Sequence, residues 1–247
     1  MKRLEGKRAF VTGAGRGIGK AIASGLAEAG AAVAIADIDP ETAKAAAGEI
    51  PNATPVVVDV SDRKAVFEAI DGYAANGGLH ILVPNAVFFH YAPLVDMPED
   101  VVGKMLDIGL KGTFWAVAAA TPHIAKSGGG SIITLSSIAV SIAIPRAAVY
   151  TSIKGAIDAF TRQQAIELAP LGIRVNALAP GTVPTPGVAT IADEAALERR
   201  KALSPFNRLV QADEIADGAV FLASEEARSI TGITLKIDAA QTISGPR

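Results

Sequence analysis

The 247-residue sequence predicts an α/β protein, a single domain over 1–247 in which a doubly wound parallel sheet of about seven strands carries helices on both faces. Two observations predict it. Short apolar runs alternate with segments of helical periodicity from one end of the chain to the other. No linker, low-complexity tract or internal repeat of solenoid period interrupts that alternation.

Taken in order, Ala9-Phe10-Val11 is the first apolar run and ends in Thr12-Gly13-Ala14-Gly15-Arg16-Gly17-Ile18-Gly19. Ala21, Ile22, Leu26 and Ala27 follow at helical spacing. Strand, glycine turn and helix together are the context of a dinucleotide site. Glycine lets the backbone turn tightly and approach a pyrophosphate, and the helix N-terminus meets the anion. The next run, Ala32 to Ala36, ends at Asp37, close to the ~20 residues expected after the glycines. A carboxylate there accepts hydrogen bonds from ribose hydroxyls and repels a 2′-phosphate, which favours NAD over NADP. Arg16 in the turn works the other way, since it could neutralise a phosphate.

The spacing then predicts a helix over 43–50, a strand over 55–58 ending at Asp59-Val60, and a helix from Ser61, read as its N-cap, to Tyr73. A strand over 79–83 ends at Pro84-Asn85-Ala86. Residues 98–125 read as one long apolar helical segment interrupted by Gly103, Gly109 and Gly112. Strands are expected over 130–137, 173–178 and 233–237. Between them Tyr150-Thr151-Ser152-Ile153-Lys154 opens a helix that runs through Leu168. Residues four apart stack on one helical face, so Tyr150 and Lys154 point the same way. An ammonium beside a phenol favours the phenolate, and a phenol tuned towards neutrality can pass a proton to or from a hydroxyl or carbonyl. Alone, the pentapeptide reads first as a solvated helical face with a chance Tyr-x-x-x-Lys.

Composition excludes several classes. Half of the residues are hydrophobic, enough for a large core, yet aromatics make up only 5%. A net charge of −2 gives no reason to expect nucleic acid or an anionic membrane as a partner. Cysteine is absent, so disulfides and thiolate chemistry are excluded. The first residues carry no apolar leader, and no apolar run approaches the roughly 18 residues of a membrane span. A cytoplasmic, soluble protein is expected.

The glycine turn, Asp59, Asn85, Ser137, Tyr150, Lys154 and Pro180-Gly181, in this order, resemble the short-chain dehydrogenase/reductase family over essentially the whole chain. The family's Thr-Gly-x-x-x-Gly-x-Gly corresponds to Thr12–Gly19, its Asn-Ala-Gly to Asn85-Ala86-Val87, its Tyr-x-x-x-Lys to Tyr150–Lys154, and its Pro-Gly-x-x-x-Thr to Pro180–Thr185. The resemblance implies a Rossmann-type fold and hydride transfer between a nicotinamide cofactor and an alcohol or ketone. It implies Tyr150 as general acid/base on the substrate oxygen and Lys154 on the nicotinamide ribose, lowering the tyrosine pKa. The implied serine, thirteen residues before the tyrosine, is Ser137 rather than Ser136. Gly13, Arg16, Gly17, Ile18 and Gly19 would hold the pyrophosphate turn, and Asp37 the adenosine ribose. Asp59 and Val60 would meet the adenine, Asn85 and Ala86 line the groove, and Pro180, Gly181, Val183 and Thr185 hold the carboxamide end and phosphates. No metal is implied. A homotetramer, or a dimer, is expected from the family and the apolar helices at 98–125 and 150–168.

Three departures stand out. Gly109 replaces the family asparagine that completes a tetrad with the serine, tyrosine and lysine; its carbonyl is expected to continue a water relay towards Lys154. Val87 replaces the glycine after Asn-Ala, and Asp238-Ala239-Ala240 stands where Asp-Gly-Gly is usual. The segments after Asn85, Ser137 and Gly181 supply an apolar wall, which suits a hydrophobic or cyclic secondary alcohol or ketone rather than a polyol. His90 and Arg146 are open to two readings, solvated side chains or contacts to a polar or anionic substituent. Residues 187–209 read as a helical lid over the substrate. The expected activity is NAD-dependent oxidoreduction of such an alcohol. The rivals are an NADPH-dependent ketone reductase and a cofactor-binding regulatory protein with little turnover, the latter suggested by Gly109.

Overall fold

The computed structural model describes residues 2–190 and 193–245. Seven parallel strands form one sheet in the order β3-β2-β1-β4-β5-β6-β7. They are β1 (Arg8–Thr12), β2 (Ala32–Asp37), β3 (Ala53–Val57), β4 (Ile81–Val83), β5 (Gly130–Leu135), β6 (Ile173–Pro180) and β7 (Thr234–Ile237). The order reverses between β1 and β4, and a crevice forms beyond the carboxyl ends of the strands at such a reversal. Every strand register is parallel, for example Phe10 opposite Ala34 on one side of β1 and opposite Leu82 on the other.

Helices cover both faces because the central strands are apolar on both. One core layer packs Val11, Val33 and Ile35 with Ile22 and Leu26 of α1 (Gly17–Glu28) and Ile215 and Val220 of α8 (Ala212–Ala223). Gly25 makes the close approach of these two helices possible, since a Cβ there would lie 3.1 Å from the Ala216 side chain. The opposite layer packs Phe10, Leu82 and Ile132 against α3 (Arg63–Ala74) and α5 (Gly112–Lys126). At about 25 cal/mol per Å² of apolar surface, each fully buried Ile or Leu contributes roughly 2 kcal/mol towards offsetting chain entropy. The remaining helices are α2 (Pro40–Glu49), α4 (Glu99–Leu106), α6 (Ala148–Glu167) and α7 (Glu194–Leu203).

Two expected elements take a different form. α3 starts at Arg63 and is capped by Asp62, whose carboxylate accepts from the Lys64 and Ala65 amides at 2.8 and 3.2 Å. Ser61 is not the cap, because its hydroxyl donates to Asp59 at 2.7 Å. The long helix over 98–125 is two helices joined by one π-helical turn, Asp107–Lys111, centred on Gly109. A one-residue widening of this kind re-aims the flanking carbonyls. Glycine fits there because a Cβ on residue 109 would sit 3.3 Å from Ile153 of α6. None of the helices among the described residues is long and apolar enough to cross a membrane.

Candidate active site

The reversal between β1 and β4 opens into a cleft of about 510 Å³. Its first wall is the glycine turn. Gly13 and Gly17 adopt φ of +61° and +58°, a region that disfavours residues with a Cβ. Gly19 has no space for one at all, since it would fall 2.2 Å from the Gly13 carbonyl oxygen. The turn is also tied to the end of β4. Thr12 Oγ1 accepts from the Asn85 and Ala86 amides, both at 3.0 Å, and Asn85 Nδ2 donates to the Thr12 and Gly13 carbonyls at 2.9 and 3.1 Å. Asn85 therefore fixes the turn as well as lining the cleft. Thr12, read from sequence only as the start of the motif, is the acceptor that joins the two strand ends.

α1 begins inside this cleft with no side-chain cap on its first amides and no acidic residue in its first turn. Free N–H groups and the positive end of the helix dipole suit an anion, so this end of the cleft fits a pyrophosphate. Asp37, at the end of β2, accepts from the Gly15 amide at 3.0 Å and from the Asp39 amide at 3.2 Å. A carboxylate thus stands beside the glycine turn, where the adenosine ribose of a dinucleotide would sit. Asp59 accepts from the Ser61 amide and hydroxyl at 2.9 and 2.7 Å, so its carboxylate also serves the local turn.

At the other end the reactive side chains meet. Tyr150 and Lys154 come from the first turns of α6, and Ser137 follows β5. The Ser137 hydroxyl hydrogen-bonds the Tyr150 phenol and accepts the Ala139 amide at 3.1 Å. Ser136, by contrast, donates to the backbone carbonyl of Lys154 at 3.4 Å. Of the two serines, Ser137 is the one that shares the phenol. Phe89 and Tyr91 enclose the phenol, with ring centroids 6.0 and 5.6 Å from that of Tyr150.

Electrostatics here differ from the sequence expectation. Burial pushes the Tyr150 phenol above its ordinary value, and the opposing pull comes from the Ser137 hydrogen bond rather than from Lys154. The reason is geometric. Lys154 Nζ donates to the Leu135 carbonyl at 2.6 Å and lies 5.8 Å from the centre of the Tyr150 ring. Burial lowers the ammonium itself from 10.5 to about 8. The Gly109 carbonyl accepts the Thr113 hydroxyl at 2.9 Å, and no direct contact joins it to Lys154.

All of the residues singled out from the motifs line this one cleft: Gly13 to Gly19 by way of Arg16, Gly17 and Ile18, then Asp37, Asp59, Val60, Asn85 and Ala86, and finally Ser137, Tyr150, Lys154, Pro180, Gly181, Val183 and Thr185. Lys104, Ile108 and Leu135 line it too and were not expected. Lys104 announces itself only through its place on α4, where its ammonium covers the Phe88 ring at 4.5 Å. Among the described residues no group of acidic and histidine side chains is placed to hold a metal ion.

The pattern of a family described as "Enoyl-(Acyl carrier protein) reductase" matches residues 13–240. The chain is a short-chain dehydrogenase/reductase. It is 37% identical to a sorbitol dehydrogenase of Cereibacter sphaeroides, with 98% of this chain and all of that protein (100%) covered. It superposes on a gluconate 5-dehydrogenase of Burkholderia cenocepacia, in complex with NADP and tartrate, with a TM-score of 0.93 at 36% identity and 98% coverage of both chains. A 3-ketoacyl-(acyl-carrier-protein) reductase of Brucella melitensis complexed with NADH gives 0.92 at 31% identity, covering 97% of this chain and 100% of that one. As a member of this family the protein is an NAD(P)-dependent oxidoreductase acting on alcohol and ketone groups.

Proposed function

We propose that the protein oxidises a secondary alcohol with NAD, using Tyr150 as the group that takes the substrate proton. The observation that carries this reading is the meeting of Tyr150, Ser137 and Lys154 at the end of a cleft whose opposite end is an uncapped helix N-terminus beside Asp37. The cofactor supplies the hydride acceptor, and the chain must orient it and manage one proton. Ser137 orients the phenol and the substrate oxygen together. Lys154, whose ammonium is already desolvated, would hold a ribose hydroxyl of the cofactor, and its charge there would lower the phenol pKa.

Asp37 is the basis for NAD over NADP, since both its oxygens already accept backbone amides and a 2′-phosphate would meet a fixed negative charge. Asp59 and Val60 border the adenine, while Val183 and Thr185 border the carboxamide and phosphates; both pairs line the cleft. α7 serves as the lid, its capping Asp193 and Leu203 lying within the segment 187–209, of which residues 191 and 192 fall outside the described residues. The homotetramer reading, with a dimer as the alternative, rests on the family to which the chain belongs. A cytoplasmic location agrees with the lack of a membrane-spanning helix among the described residues.

NADH formation with a panel of secondary alcohols tests the activity, and the ratio of kcat/KM for the two cofactors tests Asp37. A clear preference for NADP would overturn the cofactor assignment.

A further inference from the structure

Beyond the cleft lies a second hollow of about 770 Å³ between α7 and the segments after β4 and β5. It shares Tyr91 and Ile144 with the cleft as a common wall. The Tyr91 ring that separates the two spaces is itself packed against Tyr150, 5.6 Å between centroids. One aromatic ring therefore stands between the reactive phenol and this vestibule.

The vestibule is cationic. Arg146, Arg199 and Arg200 line it together with His90, and the acidic residue among them is Asp193. Asp193 is already committed, because its carboxylate caps α7 by accepting the Ala196 amide at 2.7 Å. Among the described residues none of the three guanidiniums forms an ion pair, whereas other basic side chains of this chain do, such as Arg208 with Glu214 and Lys201 with Glu198. Arg200 lies close enough to Tyr91 to pull electrostatically on its phenol.

Arg146 carries a second mark. Its backbone is left-handed, φ +67°, a conformation that costs a residue with a Cβ and that persists where the surrounding structure demands it. It lies in the loop between Ser137 and Tyr150, and it lines the vestibule rather than the core. Unpaired guanidiniums that line one hollow repel, and a planar anion that takes two parallel hydrogen bonds relieves that repulsion.

We propose that the vestibule binds a carboxylate at the far end of the substrate, so that the alcohol is a hydroxy acid whose carbinol lies at Tyr150 and whose apolar middle passes Tyr91 and Ile144. The proposal rests on the dehydrogenase reading above and names its substrate class. It divides the recognition between an apolar neck and a charged end, with Arg146 and Arg200 as the groups that hold the carboxylate.

The experiment compares straight-chain acids of four to ten carbons, each with a hydroxyl on the penultimate carbon, with their methyl esters as substrates with NAD. At the best chain length the acid should exceed its ester in kcat/KM by about tenfold or more, mostly through KM. In Arg146→Gly combined with Arg200→Ala that ratio should fall to about one, and the melting temperature of the Gly variant should hold or rise because the strained backbone is relieved. Calorimetric binding of the corresponding keto acids and keto esters to the enzyme with NAD, which has no hydride to give them, reads the same preference without turnover. Binding that favours the acid through these arginines, with no oxidation of any alcohol, would uphold the vestibule and sink the dehydrogenase reading. Equal binding and turnover of acid and ester at every length, or a preference that survives the double variant, would overturn the proposal. So would a 3-hydroxybutyryl-CoA substrate that outperforms every free acid through the same arginines, since that would assign the site to phosphate.

Discussion

The two ends of the cleft are built differently. At the cofactor end every backbone choice agrees with its neighbours: positive φ falls on glycine, Thr12 and Asn85 interlock two strand ends, and Gly19 fits where no Cβ can. At the substrate end the chain tolerates conflict. Arg146 holds a left-handed backbone with φ of +67°, Lys154 is buried without a carboxylate partner, and among the described residues the guanidiniums of the adjoining hollow form no ion pair. An end that always binds the same nucleotide can be fitted to it. One that meets the variable part of the chemistry keeps strain and unpaired charge, which substrate binding can relieve.

Substitutions break this contrast most sharply at the fitted end. Gly19→Ala forces a Cβ to within 2.2 Å of the Gly13 carbonyl, whereas Gly48 has open space around it. Denaturant melts should show a loss of about 3 kcal/mol for Gly19→Ala and a gain of up to about 1 kcal/mol for Gly48→Ala, on the exposed face of α2. Equal effects at both positions would mean that the turn is not tightly fitted.

The pH dependence of stability probes the other end. Burial holds Lys154 near 8 when the unfolded chain keeps its proton to about 10.5, so between these values the unfolded state binds more protons. Stability therefore rises as pH climbs from about 8 to 10.5, by up to ~3 kcal/mol from this group. Tyr150 and Tyr73, both raised by burial, act oppositely and withdraw stability above pH 10, Tyr73 over the range up to about 12. Melting temperatures in Lys154→Met should lose the rise above pH 8 and retain the fall above pH 10. A smaller effect is expected at the C-terminal turn. There Asp238 accepts the Ala240 and Thr242 amides at 3.0 and 2.9 Å and so holds two alanines in left-handed geometry. Ala239→Gly should stabilise the protein by ~1 kcal/mol in the same melts, and a loss would show that the alanine is packed rather than strained.

This contrast also separates what the sequence reveals from what it hides. The alternation of apolar runs and helical periodicity shows the parallel sheet, because burial on both faces leaves a direct hydrophobic trace. The residues of the cleft were legible because glycines, a strand-end acid and Tyr150 with Lys154 lie in fixed local spacings. Competition among neighbouring polar groups was not legible. Asp62 displaces Ser61 as a cap because Ser61 already serves Asp59, and Lys154 turns to Leu135, a carbonyl distant in sequence. The π-helical turn at Asp107–Lys111 sets Gly109 close to Ile153, a residue of another helix, and leaves no periodic signature of its own. The vestibule arginines come from separate loops and a helix, so no motif collects them.

The most direct measurement is turnover in Tyr150→Phe, which keeps the aromatic packing with Phe89 and Tyr91 and removes only the proton-carrying hydroxyl. The prediction is a fall in kcat of about a thousandfold with NADH affinity, read by fluorescence titration, essentially intact. Oxidation of the same alcohols at a rate within about threefold of the unsubstituted enzyme would contradict the assignment of Tyr150 as the acid/base group.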